Sequence, residues 1–131
     1  MTDSAPPRPC VLIVEDEMQL VMMLEDLLHA SGYRVLKAAR LPAALELAEA
    51  EAIDAAILDI NLAGIKAFPA ADVLQRRGIP FMFASGYGED GLSEQYQGWP
   101  MLQKPYGIKQ LQQALVSLLG DSAAPLSQQA L

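Results

Sequence analysis

Residues able to do chemistry stand at matching places in this sequence, each just past or closing a short apolar run. Glu15 and Asp16 follow CVLIV, Asp59 closes AAILD, Ser85 closes PFMFAS, and Lys104 follows PMLQ. A carboxylate at the edge of a buried run is costly unless something pairs with it. Taken singly, each has a local explanation: Asp16 could cap a helix and Ser85 could open a turn. Taken together, they describe one rim carrying three carboxylates, a hydroxyl and an ammonium. Clustered carboxylates repel one another unless a cation is present, and an oxygen-only set with room for water suits Mg²⁺ (or Mn²⁺). Lys104 supplies a second positive charge. An ionised Asp59 beside a metal and a lysine, with a hydroxyl near, is arranged as a nucleophile for in-line attack on a phosphoryl group.

Convergence of this kind requires parallel strands, and the chain supplies them. CVLIV (10–14), DAAILD (54–59) and IPFMFAS (79–85) are short and continuously apolar, as strands buried on both faces are. YRVLKA (33–38) and PMLQK (100–104) complete the set. Between them lie segments 17–30, 41–50, 68–78, 89–97 and 107–120, which read as helices. The first places Leu20, Met23, Leu24, Leu27 and Leu28 on one face, with Gly32 just past its end. Pro42 and Pro69 sit in the first turns of the second and third. Segment 89–97 is Gly-interrupted, acidic and poor in apolar anchors, so its helix is expected to be weak. Five strands alternating with five helices predict a parallel sheet covered on both faces, with the working site beyond the C-terminal strand ends.

The bulk composition bounds the function. The chain has 131 residues, the size of one domain, and a net charge of −7, which argues against a nucleic-acid-binding face. One cysteine, Cys10, stands at the first strand and reads as a small core residue in a reducing compartment. The opening MTDSAPPRP lacks the features of a signal peptide, and no apolar run approaches the roughly 20 residues of a membrane span. A cytoplasmic location is expected. Residues 1–9 read as a flexible arm, 10–120 as the domain and 121–131 as a polar tail.

The ordered set IVEDE, AAILDINL, FASGYG and QKPYG resembles the receiver domain of bacterial two-component response regulators, over roughly residues 10 to 120. The resemblance implies a flavodoxin-like doubly wound α/β fold with strand order 2-1-3-4-5. It implies that Asp59 accepts a phosphoryl group from a histidine kinase or histidine phosphotransfer protein. Glu15 and Asp16 would hold Mg²⁺ with Asp59 and the Asn61 backbone carbonyl. Ser85 would hydrogen-bond the phosphoryl oxygen. Lys104 would form an ion pair with the phosphoryl group, across a cis Lys104–Pro105 bond that orients it. The expected protein is a single-domain response regulator, a phosphoacceptor rather than an enzyme, that signals by protein–protein contact.

The sequence departs from the family at one informative position. Most receivers carry an aromatic three residues before the lysine, where this chain has Met101. The stretch FASGY resembles a subgroup whose fourth strand reads Phe-Ala-Thr-Gly-Tyr and which lacks that aromatic; Tyr87 is its candidate substitute. Met18 and Met22 fall opposite the core face of the first helix and mark a docking surface for the kinase or phosphotransfer protein. The sole histidine, His29, reads as a solvent-facing helix residue and Trp99 as packing at the entrance of the last strand. Two other readings stay open: a phosphate-independent interaction module, and a receiver detached from a hybrid kinase. An aspartyl-nucleophile phosphohydrolase is the weaker rival, because such enzymes commonly place a second acid where this chain has Asn61.

Overall fold

The computed structural model describes residues 8–86 and 92–120. Strands β1 (Cys10–Val14), β2 (Arg34–Ala38) and β3 (Ala55–Asp59) are followed by two short strands, β4 (Asn61–Leu62) and β5 (Ile65–Lys66). Strands β6 (Phe81–Ser85) and β7 (Met101–Gln103) come after them. The helices are α1 (Met18–Ala30), α2 (Leu41–Ala50), α3 (Phe68–Arg76) and α4 (Ile108–Leu119). Five strands form one sheet in the order β2-β1-β3-β6-β7, and every neighbouring pair is parallel. Counting those strands alone, this is the expected 2-1-3-4-5 order, with the switch in direction between β1 and β3.

The sheet sorts the continuously apolar strands with a period of two. Val11, Ile13, Ile57, Met82 and Ala84 face one core with α1 and α4, through Leu24, Leu27, Leu28, Leu111 and Leu115. Leu12, Val14, Ala56, Leu58, Phe81 and Phe83 face the other, with α2 and α3. The second core is closed by small residues: Ala44, Ala48, Ala70 and Ala71 are fully buried, which lets α2 and α3 lie close to each other and to the sheet. Arg77, just past α3, donates to the carbonyls of Ala48 and Glu51 and so satisfies the C-terminal end of α2.

Two expectations need correction, and one element was not anticipated. In α1 the buried stripe is Val21, Leu24, Leu27 and Leu28, whereas Met23 is 44% exposed and Leu20 only partly covered. The stripe is turned toward Val21, so Met23 falls on its rim. The element not anticipated follows Asp59, where β4 and β5 pair as an antiparallel hairpin. Its tip, Ala63–Gly64, has φ of 53° and 90°, the positive values that a two-residue hairpin turn requires at both centres. Holding alanine there costs roughly 1–2 kcal/mol. Finally, the segment read as a weak helix over 89–97 contains, among its described residues, only a 3₁₀ turn at Glu94–Tyr96. Residues 89–91 lie outside the described part.

That 3₁₀ turn is well anchored, contrary to the shortage of anchors read from its sequence. Tyr96 is fully buried and touches Phe68, Phe81, Phe83 and Trp99 at centroid separations of 5.2–6.0 Å. Its hydroxyl donates to Asp72 on α3 at 2.6 Å. Burial pushes the phenol above its usual range, and the Asp72 carboxylate adds to the rise, so it stays a donor. Tyr96→Phe removes one charge-assisted hydrogen bond at an exposed acceptor while keeping the ring, and is expected to lower stability by about 1 kcal/mol. Urea denaturation checks this; no change in midpoint would show that water serves Asp72 equally well. Trp99 stacks on Phe81 at 5.0 Å and donates to its carbonyl, in its expected place at the entrance of the last strand. Cys10 is a buried free thiol and His29 is exposed, also as expected. Among the described residues no helix is long and apolar enough to cross a membrane.

Candidate functional site

The parallel register brings the strand ends of β1, β3 and β6 level. Asp59 is the last residue of β3 and lies opposite Ala84, one residue short of Ser85. Glu15 extends β1, its N–H bonded to the Ala38 carbonyl of β2 at 3.0 Å. On the far side, the Lys104 N–H donates to the Ser85 carbonyl at 2.9 Å, continuing the β6–β7 ladder. Four strands therefore deliver one carboxylate pair, one carboxylate, one hydroxyl and one ammonium to a single rim.

Lys104 is the hub of the charges. Its Nζ lies 2.6 Å from Glu15 Oε1 and 3.1 Å from Asp59 Oδ2. Glu15 and Asp59 are both buried, with relative exposures of 3% and 9%. Glu15, Asp16 and Asp59 each bring a carboxylate oxygen within 4.8 Å of the others. Burial pushes the Glu15 carboxyl up to about 7, outweighing the hydrogen bonds from Lys104 and from the Glu17 N–H; the Asp59 charge adds to the rise. Burial works to lower the Lys104 ammonium, but the Glu15 hydrogen bond and the Asp59 charge outweigh it, and the group ends above its ordinary value. One ammonium among three carboxylates leaves the cluster short of positive charge. Its donors are all oxygen, and Asp16 is only half-buried, so water can reach them. That donor set fits a hard divalent cation of the Mg²⁺ kind, which keeps part of its water shell.

The remaining predicted residues divide by place. Ser85 is buried at 3% exposure at the end of β6. Asn61 sits at the start of the hairpin. Its N–H donates to Asp59 Oδ1 at 3.2 Å and its own Oδ1 accepts the Gly64 N–H at 2.7 Å. The Lys104–Pro105 peptide bond is cis. Tyr87 lies outside the described residues. Met18 and Met22 are 63% and 59% exposed. Beside the cluster runs a groove of about 400 Å³ lined by Glu17, Leu20, Met23, Lys104, Pro105 and Tyr106.

Sequence reasoning missed two contributors. The Ala63 N–H donates to Asp16 Oδ2 at 3.0 Å across 47 positions of sequence. A hairpin signal such as Asn-Gly would have pointed to this turn, but Ala-Gly is a weaker one. Tyr106 stands next to the site, its phenol pushed up by burial and by the charges of Glu15, Asp59 and Glu17; read only as part of QKPYG, it carried no assigned role.

Comparison with known proteins agrees with this geometry. The family model described as the response regulator receiver domain matches residues 11–116. The chain belongs to that family. As a receiver domain it is 32% identical over 116 residues to the transcriptional regulatory protein PdtaR of Mycobacterium tuberculosis (strain ATCC 25618 / H37Rv), covering 83% of this chain and 55% of PdtaR. It covers 35% of the Bacillus subtilis (strain 168) regulator YvrH, so it spans about half or less of these two relatives. Among solved structures, SdrG from Sphingomonas melonis Fr1 superposes with a TM-score of 0.74 at 40% identity, over 86% of this chain and 97% of that one. The receiver domain of the sensor histidine kinase PA1611 from Pseudomonas aeruginosa PAO1 matches in fold, with a TM-score of 0.75 at 24% identity over 88% and 100% of the two chains; that protein has a magnesium ion coordinated in its active-site cleft. Receiver domains are generally phosphoacceptors rather than enzymes, phosphorylated on an aspartate, and bind Mg²⁺ at an acidic site.

Proposed function

We propose that this receiver domain, spanning residues 10–120, is switched by phosphorylation of Asp59. The observation that carries the reading is the bracketing of Lys104 Nζ by Glu15 and Asp59 at 2.6 and 3.1 Å, with Asp16 completing the acidic cluster. Glu15, Asp16, Asp59 and the Asn61 backbone carbonyl would hold the Mg²⁺ ion, which supplies charge neutralisation to the phosphoryl oxygens. Lys104 exchanges its contact with Asp59 for one with the arriving phosphoryl group. A bond forms from an Asp59 carboxylate oxygen to phosphorus as the donor's bond to phosphorus breaks, and the electron pair leaves with the donor. Ser85 then donates its hydroxyl to a phosphoryl oxygen. The domain thus assists its own phosphorylation and dephosphorylation without other catalytic machinery. A phosphohydrolase is less well supported, because Asn61 stands where a second acid is needed and its Oδ1 is committed to Gly64.

The donor is a histidine kinase or histidine phosphotransfer protein in the cytoplasm, and the output is contact with a further protein rather than with nucleic acid or membrane. Incubation with acetyl phosphate and Mg²⁺ tests the core of the reading by intact mass: one phosphoryl group is expected, and none without the metal. A protein donor also needs a surface. Met18 and Met22, exposed beside the acidic cluster, are that surface in this reading. Met22→Glu is expected to slow transfer from the protein donor by about tenfold, the effect of roughly 1.4 kcal/mol at an interface, while leaving labelling by acetyl phosphate unchanged. Equal losses with both donors would place Met22 in the fold instead.

A further inference from the structure

We propose that the hairpin tip Ala63–Gly64 is a strap that positions Asp16 for the cation, with the Asn61 side chain as its lock. This rests on reading Glu15, Asp16 and Asp59 as the cation's ligands. Three hydrogen bonds define the strap. The Asn61 N–H holds Asp59 Oδ1, the Gly64 N–H is held by Asn61 Oδ1, and the Ala63 N–H holds Asp16 Oδ2. The hairpin therefore grips Asp59, at the end of β3, and Asp16, between β1 and α1, at once.

The turn is built for this grip at some local cost. Ala63 adopts φ of 53°, a conformation glycine would take without strain, yet it is this residue whose N–H reaches Asp16. Gly64 follows at φ 90°, and its N–H lies 2.7 Å from Asn61 Oδ1. Both tip residues are exposed to solvent, so burial does not hold the turn. Leu62 anchors the base in the core at 0% exposure, and the Ala67 N–H to the Ile60 carbonyl at 2.8 Å closes it. Beyond the β4–β5 pairing that flanks the turn, the contacts made by the tip itself are the Asn61–Gly64 lock and the Asp16 contact. Asp16 needs such help more than its neighbours do. Glu15 and Asp59 are buried and share Lys104, whereas Asp16 is half-buried and, among the described residues, its carboxylate accepts from the Ala63 N–H. That N–H fixes the rotation of the Asp16 carboxylate while lone pairs remain on its oxygens for the cation.

Asn61 is accordingly a positioning residue through its side chain, separate from any role of its backbone carbonyl. The test uses the full chain, labelled with ¹⁵N, and Mn²⁺ as the probe ion, read by paramagnetic broadening. Asn61→Ala is expected to speed amide–water exchange at both Gly64 and Ala63 and to weaken Mn²⁺ binding about fivefold, the size of one modest hydrogen bond. In an Asp16→Ala background the same change should leave the already weakened Mn²⁺ affinity where it is, because the strap has nothing left to hold. Asn61→Asp keeps the acceptor and should restore slow exchange at both amides. Should Asn61→Ala fold poorly, Gly64→Ala strains the same tip from an open position with no neighbouring atom within 4 Å and should show the same dependence on Asp16. Equal losses with and without Asp16, or no loss at all, overturn the strap while leaving the cation site intact. Absence of broadening around Asp16 and Asp59 in the parent overturns the cation site, and the strap's role with it.

Discussion

Asp59→Asn is expected to take no label from acetyl phosphate under conditions that label the parent. An amide nitrogen or oxygen in that place cannot form the acyl phosphate, so the expected loss is complete rather than graded. The substitution is also mild for the fold. The Asn61 N–H can still find a side-chain oxygen at its 3.2 Å position, and Lys104 keeps Glu15 at 2.6 Å. Removing one of three clustered carboxylates relieves repulsion at the same time. Thermal unfolding without Mg²⁺ should therefore stay within a few degrees of the parent, which separates lost chemistry from lost structure. Labelling of the variant at the parent's level would mean that another carboxylate of the cluster is the nucleophile.

Lys104→Ala is expected to act on both stability and signal. Glu15 and Asp59, with side chains 4% and 12% exposed, lose the cation that bridges them. Stranding a buried charge costs about 3–5 kcal/mol when nothing can relieve it. Here relief exists: Glu15 already titrates near 7 because of burial, and without Lys104 it can take up a proton instead. A destabilisation of roughly 1–3 kcal/mol is expected, below the range for a broken buried pair with no such relief. Mg²⁺ bound at the proposed site would replace part of the missing charge, so millimolar Mg²⁺ should raise the unfolding temperature of the variant by more than it raises that of the parent. Metal binding should persist, because Lys104 is not among the proposed ligands, but the conformational response to beryllofluoride, a phosphoryl mimic, should be lost. An unchanged response would show that the lysine serves only the unphosphorylated cluster.

Much of this molecule is legible in the order of its residues. Continuous apolar runs such as CVLIV and AAILD can satisfy both faces only inside a covered parallel sheet, and the observed bounds of β1 and α2 match those read from the chain. The polar residues that follow the runs could be located because strand ends are where apolar patterning stops. Local signals also place His29 on a solvent face and Cys10 in the core.

Other features depend on residues that meet only after folding. Tyr96 reads as a polar residue in an acidic segment, yet its ring fills the space between Phe68, Phe81, Phe83 and Trp99 while its hydroxyl finds Asp72. Met23 fits the apolar face of α1 by spacing and still lies on the rim, because α1 packs toward β2 and its buried stripe takes in Val21 instead. The grip of Ala63 on Asp16 joins residues 47 apart through a turn of weak sequence signal. Spacing along the chain identifies which groups can do chemistry, because side-chain type and local periodicity are one-dimensional. Which oxygen faces Lys104, and which is held by a backbone N–H, is decided by the register of four strands and the closure of one hairpin, because a hydrogen bond depends on distances that exist only in three dimensions.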